Sequence, residues 1–252
     1  MTQCRAWFAA FVAALLLAIA PARGADVDLE LVLLADSTGS IDDDEIRFQR
    51  QGYAEAITDP MVLSAILGNA HGRIALTYVE WGNAGSQDVV VGWSVIDGSA
   101  AADAFARTLM AAPRRAYGRN AIGAALLKGK ALIEGNEYRG VRRVIDLSAD
   151  SANNWSGPPT EAARDEVVAA GIVINGLAVL CRQCSGRPVG YDLEKAFAER
   201  IIGGPGAFVV TADSTATFAG AVRKKLILEI ADVSSGNTLA QADLAGAARL
   251  SR

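Results

Sequence analysis

One carboxylate and three hydroxyls stand within five residues in Asp36-Ser37-Thr38-Gly39-Ser40. In extended or loop backbone, residues i and i+2 point the same way, so Asp36, Thr38 and Ser40 can converge. Gly39 permits a tight turn that brings main chain close to a ligand. The preceding run, Glu30-Leu31-Val32-Leu33-Leu34-Ala35, is short, apolar and stopped by that polar cluster, which predicts a buried strand. Ligand sites of open α/β sheets lie outside the carboxyl ends of their strands. Asp150 ends a later apolar run, so two acids face one crevice if the two strands are neighbours. There either one carboxyl takes a proton or a cation sits between them. Hydroxyl and carboxylate donors without histidine or thiolate suit Mg²⁺, Mn²⁺ or Ca²⁺ and argue against zinc. A structural reading stays open beside this one. Ser40-Ile41-Asp42-Asp43 fits a capping box with Ser40 as N-cap, and Asp36 can end its strand through a local side-chain turn.

Other chemistry finds little support. No Gly-x-Ser-x-Gly elbow occurs, and His71 is the sole histidine, so a Ser-His-Asp triad has no basis. His71 reads as a loop residue beside Gly72. Gly203-Gly204-Pro205-Gly206 precedes a strand, which makes it a turn and not a phosphate loop. A metal-assisted hydrolase would need a general base, and none can be named beyond the ligands themselves. Glu80, at the end of its strand, reads as a strand-end pairing residue. Trp155, in Asn153-Asn154-Trp155-Ser156-Gly157, has two open readings, on the rim of the crevice or packed beneath the loop.

The elements that must position these residues alternate along the chain. A helix is predicted over 42–58, opened by Asp42-Asp43-Asp44-Glu45 at the positive end of its dipole. A short helix follows from Pro60 to about residue 68. Strands are predicted over 73–81 and 87–95, and the five residues between them are too few for a parallel crossover, so they form an antiparallel hairpin. Beyond it come helices at 99–111 and 121–134, a strand at 142–147 and a helix at 160–170 stopped by Gly171. A strand at 172–180, a helix at 190–202, a strand at 207–211 and a helix at 214–231 complete the series. Six strands with interleaved helices predict one α/β domain, a doubly wound, mostly parallel sheet with one antiparallel edge strand.

The chain has 252 residues, 24 basic and 28 acidic. Residues 1–24 read as a secretory signal peptide: a basic start, an apolar run over 6–20 and a small-residue cleavage site at Ala22-Arg23-Gly24. The run is shorter than the roughly 20 residues of a spanning helix. Cleavage removes Arg5 and Arg23 and leaves 228 residues with 22 basic and 28 acidic side chains, net −6. That balance offers no footprint for nucleic acid or anionic membranes, and no later stretch is long enough to span a membrane. The product is expected to be secreted, or periplasmic in a host with an outer membrane. Two mature cysteines, Cys181 and Cys184, are expected to form a local disulfide in an oxidising compartment. Residues 25–232 form the domain. Residues 233–252 read as a loosely ordered tail whose leucines lack helical spacing.

Residues 31–40 resemble the opening of a von Willebrand factor type A domain, whose metal-ion-dependent adhesion site begins Asp-x-Ser/Thr-x-Ser after the first strand. More closely, Tyr78-Val79-Glu80-Trp81, Arg143-Val144-Ile145-Asp146-Leu147-Ser148 and Gly171-Ile172-Val173-Ile174-Asn175-Gly176-Leu177 resemble a bacterial secreted branch of that fold, domain-of-unknown-function family 1194. The resemblance covers about residues 27–232. It implies that the first and fourth strands lie side by side, bringing Asp36 and Asp150 together. It further implies a metal set of Asp36, Thr38, Ser40 and Asp150, with Asn120 where the family has threonine before Ile-Gly. The implied cofactor is Mg²⁺, or Mn²⁺ or Ca²⁺, and the implied partner is a protein offering an acidic side chain to the metal. The expected function is a secreted, cation-dependent binding module without catalysis. The alternatives are a metal-free interaction domain and, behind it, a metal-assisted hydrolase.

Overall fold

The computed structural model describes residues 24–180 and 190–231. The expected signal peptide apart from Gly24, the expected tail and both cysteines of the expected disulfide lie outside the described residues. In chain order the elements are β1 (Asp26–Asp36), α1 (Asp43–Thr58), α2 (Pro60–Leu67), β2 (Ile74–Trp81), β3 (Gln87–Ile96), α3 (Ser99–Ala111) and α4 (Ile122–Glu134). They continue with β4 (Arg139–Ala149), α5 (Thr160–Ala169), β5 (Val173–Val179), α6 (Leu193–Arg200), β6 (Val209–Ala212) and α7 (Thr215–Ile230).

One six-stranded sheet runs in the order β3-β2-β1-β4-β5-β6. All neighbours pair in parallel except β2 and β3, the expected hairpin, which places β3 at an edge. Both faces are covered, as a parallel sheet requires. Along β1, Leu29, Leu31, Leu33 and Ala35 enter a core shared with α1, α2, α3 and α7. Val32 and Leu34 enter the opposite core, shared with α4, α5 and α6. That alternation is the period-two geometry of a strand buried on both sides. No helix of the described residues is long and apolar enough to cross a membrane.

Several boundaries shift for local reasons. β4 starts at Arg139, three residues before its apolar run, because its first residues continue the ladder with Asp26 and Val27. α6 starts at Leu193 because the Asp192 carboxylate accepts from the Lys195 main-chain N–H and fixes the N-cap there. Gly171 ends the α5 segment at φ +73, the left-handed conformation expected of it.

Two buried charge clusters hold the layers in register. Arg50 on α1 donates to Glu80 on β2 across 2.7 Å, with both side chains almost fully enclosed. The same guanidinium donates to the Ala112 and Pro113 carbonyls, tying down the segment after α3. Glu80 is thus a pairing residue at the strand end, as its position predicts. Across the sheet's α7 face, Lys225 pairs with Asp146 of β4 at 2.8 Å and with Glu229 one turn on. Asn175 of β5 donates to Glu229 at 3.0 Å and accepts from the Phe208 N–H at 3.2 Å. Three residues of the family-like segments, Glu80, Asp146 and Asn175, therefore serve the frame.

Candidate metal centre

β1 and β4 are adjacent, with Ala35 opposite Ser148. Their carboxyl ends release Asp36 and Asp150 at one edge of the sheet, where β2 and β4 flank β1 on opposite sides. This is the topological switch point at which open α/β sheets form their crevice.

After β1 the chain turns so that the Thr38 N–H donates to Asp36 Oδ1 at 2.9 Å. That is the local side-chain turn foreseen for a strand-ending aspartate. It accounts for only one carboxylate oxygen. Oδ2 of Asp36 is buried and has no hydrogen-bond partner. The Thr38 and Ser40 hydroxyls lie 3.2 Å apart, and Ser40 donates to Asp150 Oδ2 at 3.4 Å.

The alternative reading of Ser40 as a helix cap is overturned. Asp42 caps α1, its Oδ1 accepting from the Asp44 and Glu45 N–H groups, while the Glu45 carboxylate accepts from the Asp42 N–H. That reciprocal pair is a capping box set two residues beyond the one that Ser40 would open. Ser40 is thereby left to the crevice. The role expected of Gly39 is also corrected. Its φ is not positive, and a Cβ there would meet only the Gly118 carbonyl at 3.7 Å, an ordinary contact.

Asn120 precedes α4, and its Nδ2 donates to Ser151 Oγ at 3.2 Å. The amide orientation leaves Oδ1 without a protein donor among the described residues. The Asn120 carbonyl accepts from the Trp155 N–H at 2.7 Å, and Asn154 Oδ1 accepts from the Gly123 N–H at 3.3 Å. Gly123 makes this close approach possible, since a Cβ there would stand 2.2 Å from the Pro158 carbonyl. Gly39, Ser40, Asn120, Asp150, Ser151 and Trp155 line an open crevice of about 540 Å³. Of the five expected metal residues, Ser40, Asn120 and Asp150 line the crevice, and Asp36 and Thr38 lie buried behind Ser40.

Electrostatics single out the two acids. Burial, then the charge of Asp150, pushes the Asp36 carboxyl up to about 8, against partial relief from Thr38 and the Asp150 main chain. Burial pushes Asp150 up to about 6, with the Ser40 hydroxyl opposing and the charge of Glu45 adding to the rise. Two carboxylates and two hydroxyls, with an amide oxygen beside them, form an all-oxygen donor set. No group of three or more His, Cys, Asp or Glu side chains suited to a metal occurs among the described residues. A divalent cation here would meet at most two protein charges, and its remaining positions would fall to neutral oxygens, water or an outside ligand. The buried, donorless oxygen of Asp36 fits such a cation.

Trp155 stands on the rim, 59% exposed, which closes the alternative of packing beneath the loop. The Arg119 guanidinium lies 4.5 Å from the centre of its ring. A second pair, Arg114 over Tyr117 at 4.7 Å, sits on the same 114–119 loop. Arg114 also donates to the Ser37 and Thr38 carbonyls and to the Asp43 carboxylate. The two Arg–aromatic pairs were not foreseen from the sequence, although Arg114-Arg115-Ala116-Tyr117-Gly118-Arg119 carries the composition of such a surface.

No curated protein matches the chain. Among solved structures, the pilus adhesin SpaC of Lactobacillus rhamnosus GG matches at 14% identity and TM-score 0.58, over 81% of this chain and 31% of the adhesin. A mussel byssus protein, proximal thread matrix protein 1 with a zinc-occupied metal-ion-dependent adhesion site, matches at 15% identity and TM-score 0.59, over 81% and 48%. A von Willebrand factor type A protein from Catenulispora acidiphila matches at 13% identity and TM-score 0.54, over 81% and 43%. The chain spans less than half the length of each of these three, and at such identities the likeness is one of fold. Residues 26–234 match the sequence profile of the family described as protein of unknown function DUF1194, and the chain belongs to that family, built on the von Willebrand factor A fold.

Proposed function

We propose that this protein is a secreted, non-catalytic binding module whose Asp36, Thr38, Ser40, Asn120 and Asp150 hold a hard divalent cation, Mg²⁺ or else Mn²⁺ or Ca²⁺. The cation keeps a coordination position open to an acidic side chain of a protein partner. The observation that carries this reading is the buried Asp36 Oδ2, which has no donor while a second carboxylate stands at the end of the adjacent strand. A cation between the two acids satisfies that oxygen and removes their repulsion at once. A pilus adhesin and a mussel byssus thread matrix protein share the fold, and the latter has zinc in its adhesion site. The all-oxygen donors here favour harder ions. Export follows from the signal peptide, to the periplasm where an outer membrane exists.

One observation favours a metal-free interaction domain instead. Ser40 bonds Asp150, and Asn120 bonds Ser151, so the crevice is partly knitted by protein alone. Thermal unfolding with and without Mg²⁺ or Mn²⁺, in wild type and Asp36→Ala, separates the two. A ligand that binds only the native state raises its stability. The cation-binding module gives a rise in wild type that the variant lacks, and the metal-free domain gives none in either.

A further inference from the structure

Two unlike charged surfaces lie near the crevice. The first turn of α1 presents Asp42, Asp43, Asp44 and Glu45. All four are already engaged, Asp42 and Glu45 in the capping box, Asp43 with Arg114 and Asp44 with Arg47. The 114–119 loop, joined to α1 by the Arg114–Asp43 pair, presents exposed Arg115 and Arg119. Neither has a carboxylate within ion-pair distance among the described residues. The Arg119 guanidinium lies over the face of Trp155, and its N–H groups have no acceptor among the described residues. Such stacking fixes a guanidinium while sparing its donors for a planar anion.

This loop is braced from behind. The Gly39 N–H donates to the Gly118 carbonyl at 2.8 Å, so the metal loop and the basic loop share a hydrogen bond. The Asn83 N–H donates to the Tyr117 carbonyl, and the Tyr117 N–H to the Ser86 hydroxyl. Trp155, through its bond to the Asn120 carbonyl, is tied to the site as well. The backbone that carries the aromatic and arginine side chains is therefore fixed before any partner arrives, and that lowers the ordering cost of association. Exposed Trp, Tyr and Arg are the residue types that dominate binding energy at protein interfaces.

We propose that the partner segment is diacidic: one carboxylate completes the cation's coordination, and a second, a few residues away, is received by the Arg119 guanidinium on Trp155. This assignment rests on the cation-binding reading above and extends it to the chemistry of the partner. It also sets a direction. The second acid lies toward Trp155 on the rim, where the Arg119 guanidinium stands, and a basic residue at the same place in the partner meets Arg119 and is refused.

The test uses the full mature chain loaded with Mg²⁺ and ten-residue Gly/Ser peptides. One peptide carries a single Asp, others add a Glu one to four residues away on either side, and a last set carries Lys in place of that Glu. Affinities are read by titration calorimetry. In wild type the best Asp/Glu peptide binds tighter than the single-Asp peptide by about two- to fivefold, the scale of one exposed ion pair. The Lys peptides bind more weakly than the single-Asp peptide. Arg119→Gln abolishes the Glu preference, and Trp155→Ala reduces it. Equal affinity for mono- and diacidic peptides in wild type, or an undiminished preference in Arg119→Gln, overturns the proposal while leaving the metal site standing. Failure of the wild type to take up Mg²⁺ overturns the cation reading and this extension together. Mg²⁺ uptake with no binding of any peptide overturns the acidic-partner assignment.

Discussion

Ser40 donates its hydroxyl to Asp150 Oδ2 at 3.4 Å, joining the loop after β1 to the end of β4 across 110 positions of sequence. The contact exists because Asp42 takes the capping position that Ser40 could otherwise have filled. Where the helix starts therefore decides whether the third oxygen of the motif belongs to the helix or to the crevice.

The two acids make stability depend on pH when cation is withheld. Asp36 stands at about 8 in the fold, against about 3.9 for an exposed aspartate. The folded chain then keeps a proton that the unfolded chain releases, and its contribution is complete below the lower value and lost as pH rises through the higher one. In chelator, Asp36→Asn is expected to be more stable than wild type by about 1–3 kcal/mol at pH 8, the cost of a buried carboxylate oxygen without a partner. The gain should fade toward pH 4. Urea denaturation of both proteins across that range checks this, and a gain that stays constant with pH contradicts the environment assigned to Asp36.

Asn120 is the donor that departs from the pattern of the wider fold. Its amide nitrogen is held by Ser151, which leaves only a neutral carbonyl oxygen for the crevice. Asn120→Thr supplies a compact hydroxyl at the same place and removes the amide's competing bond. The variant is expected to bind Mg²⁺ about tenfold more tightly, a difference of about 1.4 kcal/mol. Calorimetric titration of the two chains measures it, and weaker binding by the threonine variant would show that the asparagine is the better donor here.

Lys225 carries a separate prediction about the frame. It faces Asp146 and Glu229 in a fully enclosed cluster. Burial and the charge of Asp146 raise Glu229 to about 7, with Lys225 and Asn175 opposing. Lys225→Met leaves two buried acids without their cation, a loss of about 3–5 kcal/mol when they are ionised. Both acids have folded values above their unfolded ones, so the protonated forms favour the fold and the deficit should grow as pH rises from 5 to 8. Urea midpoints of the variant at the two pH values test this, and an equal deficit at both would assign the loss to packing.

Much of this architecture is legible in the sequence because it is local. The apolar run before Asp36, the five-residue link between β2 and β3 and the stop at Gly171 each act within a few residues. The i, i+2 spacing of Asp36, Thr38 and Ser40 is local in the same way, whereas their meeting with Asp150 depends on strand order, which the family resemblance supplied. The start of α1 is legible from its acidic first turn, but its cap is ambiguous in sequence because Ser40 and Asp42 are both good caps. Asp42, with Glu45 three residues on, satisfies the box with the longer carboxylate. Lys225 and Glu229 look like ordinary surface residues of α7, and only tertiary packing sets them against Asp146. Arg119 and Trp155 meet across 36 positions, at a distance no local pattern spans.

The central claim is that Asp36 and its neighbours hold a divalent cation, and Mn²⁺ titration followed by the electron paramagnetic resonance of the free ion tests it most directly. The account predicts that wild type removes one Mn²⁺ per chain from solution near pH 8, that excess Mg²⁺ displaces it, and that Asp36→Ala removes none. A free-Mn²⁺ signal unchanged by wild type, or depleted equally by Asp36→Ala, would contradict it.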